Sequence, residues 1–240
     1  DEAKNGDVIG AYNRRVNSFE TYVKDWKHSA YYGIGGHTKS VMNGAAYFDK
    51  FLDYILAKDT YITTELEVGY KIRAWYYLRF NYTYTSTQIT ITLDTSKVPP
   101  NLLPYVAGFA INIENVNTHI SFVKIDGSAW YGYRANQRRI ILPRLNSDLH
   151  TITINLGSAS SYPAVHTVMG SHHVELTTVT YLDNKMTISI SAPSGIISII
   201  KLYCGSLGKP TVVEGADSWS YDEATKILTL TVTHHSPETV

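Results

Sequence analysis

The chain has 240 residues, of which 44% are hydrophobic and 18% are charged, so neither a disordered chain nor a membrane protein is expected. The 21 basic and 21 acidic side chains cancel, which excludes the strongly basic surface of a general nucleic-acid binder, and no apolar run is long enough to span a membrane. Because the 19 Tyr and 25 Thr both favour strands, the composition predicts a mainly β protein.

Residues 1–60 are predicted to form a helical N-terminal segment. Two sets of apolar residues recur there at helical spacing. They are Val16, Phe19, Tyr22, Val23 and Trp26 in the first set and Phe48, Phe51, Leu52, Ile55 and Leu56 in the second. Between the sets lies a glycine-rich loop that carries His37.

Residues 61–157 change to a period of two, which predicts half-buried strands in a β-sandwich. Ile89, Ile91 and Leu93 alternate with threonines, and the same pattern recurs around Ile152. The prolines within 98–104 predict a loop, because they cannot join a hydrogen-bonded ladder. Asp126-Gly127 predicts a turn.

The Ser-rich stretch 157–163 and Gly170-Ser171 predict a linker or a long connection over residues 158–171. Residues 172–240 alternate again, with turn signals at Asp183-Asn184, Ser194-Gly195 and within 221–225. We expect a second, immunoglobulin-like sandwich there, truncated at its end. The fold class predicted from the sequence is therefore mainly β, with one or two antiparallel β-sandwich domains after a short helical segment.

The glycine-rich loop 33–37 is followed by the predicted helix 47–58 and by a Thr- and Glu-containing stretch, 60–70, which is expected to be a short strand. In this pattern, residues from about 30 to 95 resemble the last portion of a polysaccharide deacetylase domain. The resemblance implies that His37 matches a late histidine that serves the family as a general acid. It also implies that the β segments after Lys71 are accessory regions of a secreted enzyme.

The chain departs from this family in its catalytic machinery. Members use an early aspartate as base and a metal held by an aspartate and two histidines, and no such motifs precede Gly33. Sixty residues also cannot close a (β/α) barrel, which takes about 200 or more. The resemblance therefore implies the tail of a parent enzyme. Both the start at Asp1 without a leader and the sequon at Asn81 fit a processed, secreted fragment.

The remaining reactive residue types do not assemble into a complete catalytic set. Cys204 lies in an apolar run and is expected to be buried, and one cysteine forms no internal disulfide. The pairs His172-His173 and His234-His235 point to opposite faces of a regular strand, so neither pair chelates one ion by itself.

Paired carboxylates are equally uninformative. On a strand Glu65 and Glu67 would share a face, as expected at a solvated edge. A calcium ion would need loop carboxylates such as Asp94, Asp126 or Asp183, but their spacing does not resemble an oxygen-ligand loop. No cofactor and no metal site are predicted.

Aromatic clusters are the best functional signal, because a sugar ring stacks its apolar face on an aromatic plane while neighbouring polar groups bind its hydroxyls. If 75–84 is one strand, Tyr76, Leu78, Phe80, Tyr82 and Tyr84 share the face that supplies the core. The predicted ligand-binding residues are Trp75, Tyr77, Arg79 and Asn81 on the other face, Trp130, Tyr131, Tyr133 and Arg134 in a second cluster, and Trp219 and Tyr221 in a third.

Three functions remain open. The preferred one is a non-catalytic carbohydrate-binding or accessory region of a secreted protein, with a polysaccharide as ligand and a parent-enzyme domain as neighbour. The second is an extracellular filament or surface-layer subunit that self-associates through sheet edges. The third is a metal-dependent deacetylase-like esterase that uses His37.

Overall fold

The computed structural model describes residues 8–25, 50, 51, 54, 65–170 and 174–235. The chain divides into two compact units, Asp1–Thr60 and Tyr61–Val240. In the described residues of both units, no helix is long and apolar enough to cross a membrane.

The first unit contains helix α1 (Val8–Asp25) and, further along the chain, helical residues at Lys50, Phe51 and Tyr54. Phe19 of α1 is buried and meets the buried Phe51 ring edge-to-face, with 6.3 Å between the ring centroids. The predicted helical character of this segment is therefore present where the structure describes it. The loop with His37 and the predicted helix positions Phe48, Leu52, Ile55 and Leu56 lie outside the described residues.

The second unit begins, in its described part, with helix α2 and continues with antiparallel strands. Its elements are α2 (Glu65–Tyr77), β1 (Arg79–Tyr84), β2 (Gln88–Asp94), β3 (Ala110–Asn112), β4 (His119–Ile125), β5 (Ser128–Trp130), β6 (Tyr133–Arg134), β7 (Arg139–Ile141), β8 (Leu149–Gly157), β9 (Ala164–Gly170), β10 (Glu175–Leu182), β11 (Lys185–Ser191), β12 (Ile197–Tyr203), β13 (Ser218–Asp222) and β14 (Ile227–Thr233). Short 3-10 turns occur at Leu103–Val106 and Gly205–Leu207. The mainly β fold class predicted from the sequence is confirmed.

The strands of the described ranges form four antiparallel sheets. Their orders are β1-β2-β8-β4-β5, β13-β14-β12-β9, β3-β7-β6 and β10-β11. In the five-stranded sheet Ile91 of β2 lies opposite Ile152 of β8, which in turn lies opposite Ile125 of β4. All three side chains are buried, so the alternation that predicted these strands also marks the face that they turn to the core.

Several predicted turns are present. Asp126 and Gly127 join β4 to β5 with φ of 50° and 80°, and Asp183 and Asn184 join β10 to β11 with φ of 51° and 62°. Positive φ at both central residues is the geometry of the two-residue hairpin turn that matches strand twist, and Gly, Asn and Asp tolerate it best.

The predicted strand at 60–70 is wrong from residue 65 onward, because α2 occupies Glu65–Tyr77. The buried or half-buried residues Tyr70, Ala74 and Tyr77 recur every three or four positions, which is a helical period. Glu65 and Glu67 therefore belong to a helix and not to a strand edge.

The predicted linker 158–171 is also wrong, because it contains β9, which pairs with β12 inside a sheet. The Val165 N–H of β9 donates to the Tyr131 carbonyl at 2.7 Å. The Ser160 N–H, just before β9, donates to the Ile120 carbonyl at 3.0 Å. The division at 158–171 is corrected accordingly: side chains from 61–157 and 172–240 pack in a common hydrophobic cluster.

Candidate functional site

Strand β1 carries the most exposed aromatic side chains of the second unit's sheets. Phe80, Tyr82 and Tyr84 are 56%, 58% and 74% exposed and lie two residues apart, so they share one face of the strand. Trp75, at the end of α2, is 55% exposed, and its ring centroid lies 6.0 Å from that of Phe80. We call these four residues the aromatic row.

The aromatic row lies on the core face of the five-stranded sheet. Directly opposite residues of an antiparallel pair share a face, and Phe80, Tyr82 and Tyr84 lie opposite Leu93, Ile91 and Ile89 of β2. These three β2 side chains are 3%, 8% and 8% exposed. The covering layer therefore ends at β2, and the rings of β1 extend the same apolar face into solvent.

The predicted first cluster is split by this geometry. The predicted strand over 75–84 is wrong for its first four residues, because Trp75 and Tyr77 belong to α2 and β1 begins at Arg79. Only Arg79 and Asn81 of the four predicted residues lie on β1. The Arg79 side chain donates to the Tyr76 carbonyl at 2.7 Å and the Leu78 carbonyl at 3.0 Å. Of the four predicted residues, Trp75 alone joins the aromatic row.

The predicted second cluster is buried, so its assignment as an exposed platform is wrong. Trp130 is 5% exposed, and its indole N–H is within hydrogen-bonding distance of the Ile141 carbonyl at 2.9 Å and the Gly132 carbonyl at 3.2 Å. The Tyr133 hydroxyl is hydrogen-bonded to Ser160 at 2.8 Å, and burial raises its pKa to about 12 in spite of that bond.

Arg134 of the same cluster holds strands together rather than facing solvent. Its Nε donates to the His166 carbonyl at 2.8 Å, Nη1 donates to Gln137 at 2.9 Å, and Nη2 donates to the Thr167 hydroxyl. His166 itself stacks on Tyr203, with ring centroids 5.5 Å apart and an angle of 11° between the planes.

Tyr131 contributes to a different group of rings, which we call the tyrosine cluster: Phe122, Tyr131, Tyr162 and Tyr181. The ring centroids lie 5.9–6.3 Å apart in edge-to-face or tilted contacts. Burial, followed by the nearby Tyr162 and Tyr181 hydroxyls, raises the pKa of Tyr131. Tyr162 is 46% exposed, whereas Tyr131 is buried, so this cluster packs mainly on itself.

The predicted third cluster lies on β13, the last strand of its sheet. Trp219 is 42% exposed and Tyr221 is half-buried, and both share the face of their partners Leu230 and Leu228. Burial raises the pKa of Tyr221. Because Trp219 is the one well-exposed ring of this third cluster, the cluster offers a smaller aromatic surface than the aromatic row.

A group of charged residues at α2, formed by Lys71, Glu67 and Glu175, was not predicted from the sequence. The Lys71 ammonium donates to the Ala107 carbonyl at 3.3 Å and lies 5.3 Å from the centroid of the Phe109 ring. Burial lowers the pKa of Lys71 from 10.5 to about 8, although the carboxylates of Glu67 and Glu175 oppose this shift. The spacing of four residues between Glu67 and Lys71 could have indicated an ion pair on one helix. Glu175 lies on a strand that is far away in sequence, so its proximity could not be predicted.

Two of the other residues considered for chemistry, His234 and Asp126, have structural partners. His234 is hydrogen-bonded to the Ser198 hydroxyl at 2.8 Å, and burial lowers its pKa. Burial by itself would raise the pKa of Asp126, but hydrogen bonds with His150 and the Thr151 N–H lower it. His172 and His173 lie outside the described residues.

Cys204 is buried, as its apolar surroundings predicted, and burial raises the pKa of its thiol. Within the described ranges, no three His, Cys, Asp or Glu side chains are placed to hold a metal ion.

The chain was compared with protein-family models, curated proteins and solved structures, and none of them matches. The deacetylase resemblance therefore stays a prediction.

Proposed function

We propose that the chain is a non-catalytic carbohydrate-binding region of a secreted protein, with the aromatic row as its binding surface. The observation that supports the proposal is the exposure of Phe80, Tyr82 and Tyr84 on the apolar face of the sheet. Exposed apolar patches of this kind on a folded chain mark binding sites more often than chance.

The row suits the apolar face of a sugar better than a flexible peptide. Residues two apart on a strand are about 6.7 Å from each other, so the three rings of β1 form a linear series. The Tyr82 and Tyr84 hydroxyls supply polar groups beside the ring planes, which an apolar protein surface would not require. An extended polysaccharide that offers successive pyranose faces is the ligand that matches this series.

The first experiment is a glycan array and a polysaccharide pull-down with the purified chain, with and without EDTA. We expect retention on a β-linked polysaccharide that EDTA does not change, because ring stacking uses no metal. Retention that EDTA abolishes would contradict the proposed mechanism and favour the metal-dependent esterase with His37.

The second experiment assigns the surface. Tyr82→Thr keeps a strand-forming residue and removes one ring, and we expect at least about a fivefold loss of affinity, since a central stacked ring contributes about 1–3 kcal/mol. Thr83→Ser, on the opposite face of the same strand, is the matched control and should bind as the unmodified chain does. Equal affinities for both variants, each with an unchanged circular dichroism spectrum, would remove the aromatic row from the site.

A further inference from the structure

Strand β1 is an edge strand, and its outward backbone groups can be identified. In the part of the chain that the structure describes, β1 pairs with β2 alone. At the hairpin the Thr85 N–H donates to the Gln88 carbonyl at 2.8 Å, so the odd-numbered residues bond toward β2. The N–H and C=O groups of Phe80, Tyr82 and Tyr84 consequently point away from the sheet.

Among the described residues, this edge lacks the proline, bulge and mid-strand charge that commonly prevent strand pairing. Natural edge strands are protected by proline, by bulges or by charged side chains in their middle. The sequence of β1 is Arg-Phe-Asn-Tyr-Thr-Tyr, its register with β2 is continuous, and its single charge is at the first position. The Arg79 guanidinium turns back to carbonyls at the end of α2.

The strand is also complementary to itself. When two copies of β1 pair about a two-fold axis normal to the sheet, even-numbered residues must lie opposite even-numbered residues. The aromatic faces of both strands then lie on the same side of the joint sheet. With Tyr82 opposite Tyr82 of the second copy, Phe80 lies opposite Tyr84, and about six N–H···O bonds form between outward groups. Asn81 then lies opposite Thr83, and no like charges face each other in this register.

We propose that β1 pairs antiparallel with β1 of a second copy of this chain, with Tyr82 opposite Tyr82. Edge pairing uses backbone groups in the plane of the sheet, so the rings stay on its face. The two aromatic rows then become one platform to which each copy contributes Phe80, Tyr82 and Tyr84. The pairing stands on the strand geometry, whereas the role of the joint platform rests on the proposed carbohydrate binding.

One side chain competes with this pairing. The Asn81 side-chain oxygen accepts a hydrogen bond from the Tyr82 N–H at 2.8 Å, and that N–H is a central donor of the proposed ladder. The pairing must displace this bond, so we expect a concentration-dependent dimer rather than a permanent one. Asn81→Thr removes the competitor and should lower the dimer dissociation constant several-fold.

Sedimentation equilibrium of the full chain over a wide concentration range tests the pairing. We expect the mass to rise from 26.9 kDa toward twice that value. Asn81→Lys with Thr83→Lys places lysines opposite each other and should abolish the rise, whereas Asn81→Asp with Thr83→Lys places opposite charges there and should restore it. A mass of 26.9 kDa at every concentration, or equal behaviour of the two double variants, would overturn the proposal.

Glycan binding separates the two proposals. The monomeric lysine double variant keeps its own aromatic row, so it should still bind polysaccharide but at least several-fold more weakly than the dimer. Unchanged affinity in that variant would overturn the joint platform. If the two double variants change dimerisation as expected but the dimer binds no glycan, the pairing is upheld and the proposed function is overturned.

Discussion

Gly132→Ala is expected to destabilise the chain through a collision with the Trp130 ring. A Cβ atom at residue 132 would lie 2.7 Å from Trp130 Cζ2 and 2.8 Å from both Cε2 and Nε1. The ring is buried and its N–H is within bonding distance of the Ile141 carbonyl, so it cannot turn aside without losing that contact. Overpacking of a filled core costs about 1–3 kcal/mol, and a weakened hydrogen bond adds about 1 kcal/mol.

The test is a double-mutant cycle with Trp130→Leu, which removes all three colliding atoms. Trp130→Leu by itself creates a cavity and should cost about 2–4 kcal/mol. Adding Gly132→Ala in this background should cost less than about 1 kcal/mol, because the new methyl group occupies part of the cavity. The difference between the two backgrounds gives a coupling energy of about 2–3 kcal/mol.

Urea unfolding followed by far-ultraviolet circular dichroism measures these effects without using tryptophan fluorescence. With a slope of about 2 kcal/mol per molar urea, a loss of about 3 kcal/mol lowers the midpoint by about 1.5 M. Trp219→Leu is the matched control, because this ring is 42% exposed and its loss should change stability by less than about 1 kcal/mol. Equal losses for Gly132→Ala in both backgrounds would refute the collision as the cause.

Two pH-dependent effects follow from half-buried bases. Lys71 should titrate near pH 8 in nitrogen-detected NMR, well before the other lysines, and titration together with them would contradict its burial. Between about pH 8 and 10.5 the unfolded chain binds more protons at Lys71 than the folded chain does. Lys71 therefore makes the free energy of unfolding increase with pH in that range. His234 has a lowered pKa in the folded chain, so its contribution to stability is present above about pH 6.5 and is lost as the pH falls through the folded pKa. We therefore expect His234→Gln to lose less stability than the unmodified chain between pH 7 and 5 in urea titrations, and identical losses would show that His234 is not involved.

The strands and their turns were largely readable from the sequence, because both depend on neighbours along the chain. Ile89, Ile91 and Leu93 alternate with threonine and form β2 as predicted. The turn at Asp126-Gly127 was readable because few residue types tolerate its backbone angles. The segment before β9 misled the prediction, since its serines and proline resemble a linker while Val165, Thr167 and Met169 alternate toward the core.

The candidate site could be predicted as aromatic but not located. Period two separates the faces of a strand, yet it does not show which face is covered or where the covering layer ends. Trp130 was expected on the surface and lies in the core, while Phe80, Tyr82 and Tyr84 were expected in the core and are exposed. Lys71 and Glu175 were not recognised together because they are far apart in sequence.

The sequence by itself determined that the chain is mainly β, that the strands alternate and that rings are concentrated in a few segments, because local propensity and spacing decide these properties. The tertiary structure decided that 65–77 is helical, that β9 belongs to a sheet and that β1 is an edge strand. The physical reason is that burial depends on which distant elements pack over a face. The elements that cover the core face of the sheet reach β2 but not β1, so the aromatic side chains of β1 on that face are exposed.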